Sequence, residues 1–438
     1  MSRRGSGLDR TATGRGRRVV IAGMGLLTPI GHSPWQTFSA LLADRTLAER
    51  LGRLPDAAGP VDVARRVGAV SVVQHGPSDP AVELAERAAR QALYEAGLDP
   101  AHVPVILASS KGAVGALMRA AGHFVNRPAA RCYRGGRQGR REERPDVDPG
   151  TSPEIHRLKS GPLSADPEVV ALGPHGYLGL QLRRRLGLQG QVHHVVAACA
   201  SGLMAVDMAR RRMLAPWADR PPHSVLVVAT ESALTPLFIH NYRRLGVLCP
   251  LTPHGYRAKP LAEDRCGFVL AEAAAAIVLR RVVCPEPGQI ELLDTAVASD
   301  THDLVRPSPR MQALNRVTRQ LLTRRGIDLL HPHAPGTTGH DPAELSVFAP
   351  YSGQIRGLYA CKGAVGHCLG AAGLVSLVVA CLCARSGRRP AMPWLDRPIL
   401  ATRGLVDGSQ TAGRPLQTHA IFASGFGGHV AGAVLATR

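Results

Sequence analysis

The chain has 438 residues, enough for two to four domains or for one large fold with two similar halves. Hydrophobic residues make up 45% and charged residues 20%, a balance that excludes wholesale disorder and leaves ample apolar side chain for a core. The formal charge is +20 and only four basic residues are lysines (Lys111, Lys159, Lys259, Lys362), so the surplus is arginine. Aromatics reach only 4% and are scattered, too few for base-stacking platforms, and no RNP, zinc-finger or KH pattern occurs. The expected partner of this basic surface is therefore an acidic protein, not a nucleic acid.

Residues 1–17 are polar and basic, lack a signal-peptide core, and read as a disordered tail. Residues 18–24 (RVVIAGM) form an apolar run that ends in glycine and predicts a buried strand, followed by a turn and a helix over 35–42. The Gly23–Gly25 pair invites a dinucleotide reading, but Thr28 stands where the third glycine belongs and no acidic residue follows a second strand. Residues 81–96 predict an amphipathic helix ended by Gly97, and 103–109 predict another buried strand. This alternation predicts an α/β layered fold. Residues 127–165 are rich in Arg, Gly and Pro, show no apolar period, and read as a long exposed loop.

Order resumes with a helix over 177–186 and a strand over 191–198. Cys199 opens a buried helix, 224–229 is a strand, and 267–280 reads as a strand pair. A boundary is expected at 284–289. It separates an N-terminal half (18–285) from a C-terminal half (286–438) with the same rhythm: strand 290–299, helix 310–325, a His-rich loop, helix 370–385, a closing strand 419–424 and a glycine loop. The longest apolar run, 370–384, is about 15 residues and reads as a buried helix, so no membrane insertion is expected. Nine cysteines without a CxxC argue against a disulfide framework and a zinc site; with no secretory signal, the expected compartment is the reducing cytoplasm.

Cys199 lies at a strand-to-helix junction among small neighbours (Ala198, Ala200, Ser201, Gly202), where free N–H groups favour a thiolate and a lowered thiol pKa is expected. His333 sits in HPHAPGTTGHD (331–341) and His367 in CKGAVGHCLGAAG (361–373), both beside small-residue sequence. One Cys and two loop His form a nucleophile-plus-base set: a thiol can hold an acyl group, and two imidazoles can polarise a thioester carbonyl and hold an enolate. Backbone N–H groups of Cys199 and of the Gly425–Gly428 loop are the expected oxyanion hole.

These blocks resemble the β-ketoacyl-acyl carrier protein synthases, the condensing enzymes of the thiolase fold. The opening VVIAGMG with TPIG at 28–31, ACASG at 198–202, His333 through Thr337, Asp341 and Glu344, the block Lys362–Gly366–His367–Gly370–Gly373, and GFGG at 425–428 fall in family order. The resemblance implies a thiolase-like fold, two similar α/β halves in an αβαβα arrangement. It implies that Cys199 takes an acyl chain from acyl carrier protein, and that His333 and His367 assist decarboxylation of a malonyl extender. It implies that Lys362 organises the surroundings of His367 with Glu344 as its ionic partner, that Asp341 and Thr337 support the first histidine block, and that Phe426, with Gly425, Gly427 and Gly428, gates the substrate and forms the oxyanion loop. It implies no metal and no resident cofactor, since phosphopantetheine arrives on the carrier, and a homodimer or a heterodimer with a homologous subunit. Departures are present: Pro335 replaces a Thr that would hydrogen-bond the pantetheine arm, the segment 259–273 (KPLAEDRCGFVLAEA) is altered, and Val430 replaces a terminal Asn. Acyl transfer without condensation and a non-catalytic partner subunit, like a chain-length factor, are the alternative readings.

Overall fold

The computed structural model describes residues 17–47, 79–125, 167–216, 220–250, 258–323, 325–399, 413 and 415–438. The expected tail (1–17, save its last residue) and the Arg-rich loop (127–165) lie outside them. In chain order the elements are β1 (Arg18–Leu27), α1 (Pro34–Leu42), α2 (Pro80–Ala96), β2 (Val105–Ala108), α3 (Val114–Val125), α4 (Pro167–Leu186), β3 (Val192–Val195), α5 (Ser201–Leu214), β4 (Ser224–Glu231), α6 (Pro236–Arg244) and β5 (Ala273–Val282). The second half adds β6 (Ile290–Ser299), α7 (Gln312–Leu322), β7 (Leu329–His331), α8 (His340–Phe348), α9 (Lys362–Val365), α10 (Ala372–Ser386), β8 (Thr418–Gly425) and β9 (His429–Thr437).

The strands run β3-β2-β4-β5-β1-β6-β9-β8-β7. The two halves repeat one pairing plan. In the first, β1 is antiparallel to β5, β5 antiparallel to β4, β4 parallel to β2 and β2 parallel to β3. In the second, β6 is antiparallel to β9, β9 antiparallel to β8 and β8 parallel to β7. The place of β3 is taken by residues 355–358, which bridge in parallel to Ile327 and Leu330. The halves join where Val20 and Ile21 pair with Glu291 and Ile290.

Three apolar cores join five layers, the middle core filling both sides of the central helical layer. One face of the first half packs Leu27, Leu226, Val228 and Ala276 under the outer helices α2 and α4. The opposite faces of both halves close on α5 and α10, which form a shared middle layer. The outer face of the second half packs Ala420, Phe422 and Val434 against α7 and α8. This is the expected αβαβα stack. Because α10 is enclosed from both sides it is apolar all round, with no amphipathic stripe. The continuous helical run Leu369–Ser386 reaches 18 residues, longer than the apolar run seen in sequence, with a mean hydropathy of 1.8. It has the length and composition of a membrane span, yet 83% of it is buried inside the protein.

The N-terminal glycine pair has a packing explanation. A Cβ on Gly23 would sit 2.1 Å from the Ala92 carbonyl oxygen, and one on Gly25 would sit 1.9 Å from that of Ala88. The glycines let α2 lie directly on β1, where Glu95 and Gln91 accept from the Met24 and Leu26 amides at 2.7 and 2.9 Å. Two expectations need correction. Residues 267–280 give one strand, β5, because 267–271 instead pair with loops carrying the site. The chain also has a further strand after the glycine loop, β9, whose small, fully buried side chains show no polar alternation.

Candidate active site

The nucleophile candidate sits on a strained shelf. β3 ends at Val195, and Ala198 adopts φ 47°, the left-handed region that L-residues enter at a cost of about 1–2 kcal/mol. Ser201 Oγ holds the bend: it accepts from the Ala197 amide at 2.8 Å and donates to the Ala198 carbonyl at 2.6 Å. Cys199 therefore sits at the apex of a turn, and α5 starts two residues later at Ser201 rather than at the cysteine. Gly425 backs the shelf. A Cβ there would lie 2.7 Å from the Ala197 carbonyl oxygen and 3.0 Å from the Cys199 nitrogen.

Cys199 is 7% exposed and packs among Tyr242, Phe268, Leu270 and Leu369. Burial pushes its thiol up to about 12, and the nearby charges of Lys362 and Lys111 offset this only in part. The expected lowering of the thiol pKa is thus reversed, because the cost of a buried anion outweighs the helix start. At rest the group is a thiol.

The two histidines come from the other half. His333 follows β7 and is clamped through its backbone. Its amide and that of Ala334 donate to the two oxygens of Glu344, each at 2.7 Å. Asp341 accepts from Gly336 at 3.0 Å and from Leu261 at 2.9 Å, and Thr337 Oγ1 accepts from the His340 amide at 3.3 Å. Glu344 and Asp341 are fully buried; burial raises them to about 7 and about 6. Lys362 donates to the His333 carbonyl oxygen. This corrects the expected Lys362–Glu344 ion pair: both groups grip the His333 loop from opposite ends instead. Lys362, expected to organise the surroundings of His367, gives its hydrogen bond to His333 and acts on His367 through its charge.

His367 is pinned by strand-like bonds. Its amide donates to the Val269 carbonyl at 2.8 Å and its carbonyl accepts from the Ala271 amide at 3.1 Å. Its ring meets Phe268 edge-on at 4.7 Å and lies 5.4 Å from the His333 ring. Burial first, and the Lys362 charge second, lower both imidazoles well below the usual 6.5. Each is neutral at pH 7, with one N–H to donate and one lone pair.

Cys199, His333, His367, Phe426, Thr337 and Gly425 line one cavity of about 920 Å³, with Gly428 beside them. Phe426 is half-buried and faces Tyr242 at 6.5 Å. Pro335 also lines this cavity and brings neither hydroxyl nor amide hydrogen to it. Exposed Arg244, Leu245, Asp303 and Arg306 form the mouth. Lys362, Asp341 and Glu344 stand behind the lining, and Gly427 is tied outward, its amide donating to the Leu304 carbonyl at 2.8 Å. Among the described residues no cluster of three or more His, Cys, Asp or Glu is placed to hold a metal ion.

Sequence reasoning missed two groups. His340, inside the quoted first histidine block, brings a third imidazole to the cavity with its ring centroid 5.1 Å from that of His333. Glu231, at the end of β4, is fully buried and accepts from the Ser110, Lys111 and Gly370 amides at 2.9, 3.2 and 3.0 Å. It ties the loop after β2 to the segment that follows His367. A lone acidic residue ending an apolar strand was the available signal.

A sequence profile described as Beta-ketoacyl synthase, N-terminal domain, matches residues 179–283, and one described as Beta-ketoacyl synthase, C-terminal domain, matches residues 290–394. The chain belongs to the β-ketoacyl synthase family. A 3-oxoacyl-[acyl-carrier-protein] synthase 2 of Coxiella burnetii is 24% identical over 407 residues, covering 87% of this chain and 89% of that protein. The ketoacyl synthase alpha subunit of the tetracenomycin polyketide synthase of Streptomyces glaucescens is 28% identical over 445 residues, covering 96% and 97%. In fold, the chain is similar to a type II polyketide ketosynthase solved with its acyl carrier protein (TM-score 0.71, 18% identity, 97% of this chain and 100% of that one). It is likewise similar to the ishigamide ketosynthase/chain length factor (TM-score 0.69, 20% identity, 97% and 100%).

Proposed function

We propose that this β-ketoacyl synthase family member catalyses decarboxylative Claisen condensation of an acyl thioester with malonyl-acyl carrier protein, in fatty-acid or type II polyketide-like biosynthesis. The observation that carries this reading is one cavity that holds a thiol on a strained apex beside two neutral imidazoles. In the first half-reaction the Cys199 sulfur attacks the acyl thioester carbonyl. The thiol proton ends on the departing carrier sulfur, and a neutral imidazole is the available relay. In the second, the malonyl thioester loses CO2 and its electron pair is held as an enolate, with the thioester oxygen accepting from imidazole N–H groups. The enolate carbon bonds to the acyl carbon as the acyl carbon–sulfur bond breaks, and the Cys199 thiolate takes a proton from water, with a neutral imidazole as the relay. Neutral imidazoles suit this role because a fully charged donor would quench the carbanion character that the new bond needs.

Several further assignments belong to the proposal. Lys362, Glu344, Asp341 and Thr337 hold the His333 loop. Phe426 gates the cavity, and the Gly425–Gly428 loop with the Cys199 amide supplies the oxyanion hole. No metal or resident cofactor takes part. The partner is acyl carrier protein, supported by the arginines at the mouth and the +20 charge, which attract an acidic protein. The outer edge of β3 ends the sheet beside Val196, 54% exposed, and supports a dimer formed there by a second copy or a homologous subunit. Free thiols among the described residues at Cys199, Cys266, Cys284, Cys361, Cys368, Cys381 and Cys383 support a cytoplasmic location.

The test is intact mass after incubation with acyl-acyl carrier protein, followed by CO2 release from malonyl-acyl carrier protein. The expected result is an adduct on the parent protein, none on Cys199→Ala, and CO2 in step with product. An adduct without CO2 indicates acyl transfer; no adduct across several chain lengths indicates a partner subunit.

A further inference from the structure

Among the described residues the His333 ring has no hydrogen bond to fix its rotation. Its Nδ1 is buried and lacks a partner, so the usual device for orienting an imidazole, a bond to the second ring nitrogen, is missing. All the bonds that Glu344 and Lys362 make with this residue go to its backbone. The ring must be held by packing. It has two aromatic neighbours: His367 at 5.4 Å and 76°, and His340 at 5.1 Å and 78°, both edge-to-face.

His340 suits a buttress. It is the first residue of α8, the helix that carries Asp341 and Glu344, so ring and backbone clamp share one rigid element. Its side chain is 13% exposed, and its Nε2 lies 3.7 Å from Glu344 Oε2, a buried carboxylate that limits where the ring can swing. That nitrogen makes no hydrogen bond, so the ring contributes by shape and contact.

We propose that His340 is a positioning residue for the extender half-reaction: its ring, backed by Glu344, holds the His333 imidazole in the orientation that faces His367. The inference rests on the condensation proposed above. It separates the two half-reactions. Acylation of Cys199 needs the shelf and one imidazole of either histidine as a proton relay, whereas decarboxylation needs His333 placed to a fraction of an ångström. A misplacement near 1 Å costs on the order of a hundredfold.

The experiment compares His340→Ala, His340→Gln and His340→Phe in the full chain. It measures Cys199 acylation by intact mass and CO2 release from malonyl-acyl carrier protein, and circular dichroism melting checks that each variant folds. His340→Ala and His340→Gln are expected to slow decarboxylation by about ten- to a hundredfold while acylation falls less than about threefold. His340→Phe, which keeps the edge contact without a titratable nitrogen, is expected to recover most of the loss and to leave the pH profile of decarboxylation unchanged in shape. Equal losses in both half-reactions, a Phe variant no better than Gln, or decarboxylation at the parent rate in the Gln variant would overturn the proposal. A parent protein that neither takes an acyl group nor releases CO2 defeats the condensation reading instead, before any variant is compared.

Discussion

The two halves of the molecule follow one pairing plan but put different residues at matching positions. The strand β2 leads into Ser109–Lys111, which grip Glu231; its counterpart β7 leads into the loop that carries His333. The strand β4 ends in Glu231, a buried carboxylate; its counterpart β8 ends in Gly425, which needs to have no side chain at all. The middle-layer helix of the first half is preceded by Cys199, and that of the second by His367. Duplicated backbone thus aims equivalent chain turns at one cavity, and the chemistry is divided: the first half brings the sulfur, the second both bases. The shared positions are geometric, and the residue types on them have diverged completely.

The sharpest way to break this division is to remove the second half's contribution. His333→Ala and His367→Ala are each expected to lower CO2 release by about a thousandfold, with Cys199 still acylated in mass spectrometry. Acylation lost to the same extent would show that the halves do not divide the two half-reactions.

A smaller contrast concerns pH. The pair β7–β8 buries His331 and His419, with His331 Nε2 and His419 Nδ1 at 3.2 Å, where the matching pair β2–β4 buries aliphatic side chains such as Ile106 and Val227. Burial lowers His331, and lowers His419 from the ordinary 6.5 to about 4. With the folded pKa below the unfolded one, stability is complete above about 6.5 and is lost as pH falls toward 4, because only the unfolded chain takes up the protons. His419 alone accounts for roughly 3 kcal/mol of this loss. Urea midpoints between pH 7 and pH 4.5 should fall for the parent and fall distinctly less for the double variant His331→Leu/His419→Leu; parallel curves would contradict it.

Next comes the shelf. Gly425→Ala should cost about 1–3 kcal/mol of local strain, lowering the melting temperature by only a few degrees, and slow Cys199 acylation by ten- to a hundredfold. A variant that acylates at the parent rate would mean the glycine is not needed against the shelf. The smallest expected effect is at the mouth. Arg244→Glu should slow acylation severalfold at low salt, and 0.5 M salt should erase the difference; a difference unchanged by salt would place the arginine's contribution elsewhere.

How far the sequence anticipated this site depends on range. Strands and helices with strong apolar patterns, such as β6 and α2, were legible within a residue or two, since their signal is local. The glycine blocks pointed to Cys199, His333 and His367 through resemblance, and the structure brings all three to one cavity. Long-range effects were not legible. Lys362 was paired with Glu344 by charge, but the fold places a carbonyl nearer. The Cys199 thiol was expected low because a helix start offers it free N–H groups, whereas its pKa follows from burial among Phe268, Leu270, Tyr242 and Leu369, all distant in sequence. The ring of His340 was invisible as a contact because only the turn at Thr337–Gly339 folds it back onto His333.

The shared middle layer has a consequence for synthesis. The inner face of the first half's sheet is covered by α5, which precedes β4, and by α10, which is translated about 140 residues after β4. Until α10 leaves the ribosome, the first half has its outer core under α2 and α4 but leaves the inner face of its sheet partly uncovered. The duplicated halves are therefore not two modules that fold in turn. A chain interrupted between them should be a client of chaperones, and separately produced halves should recover structure only when refolded together.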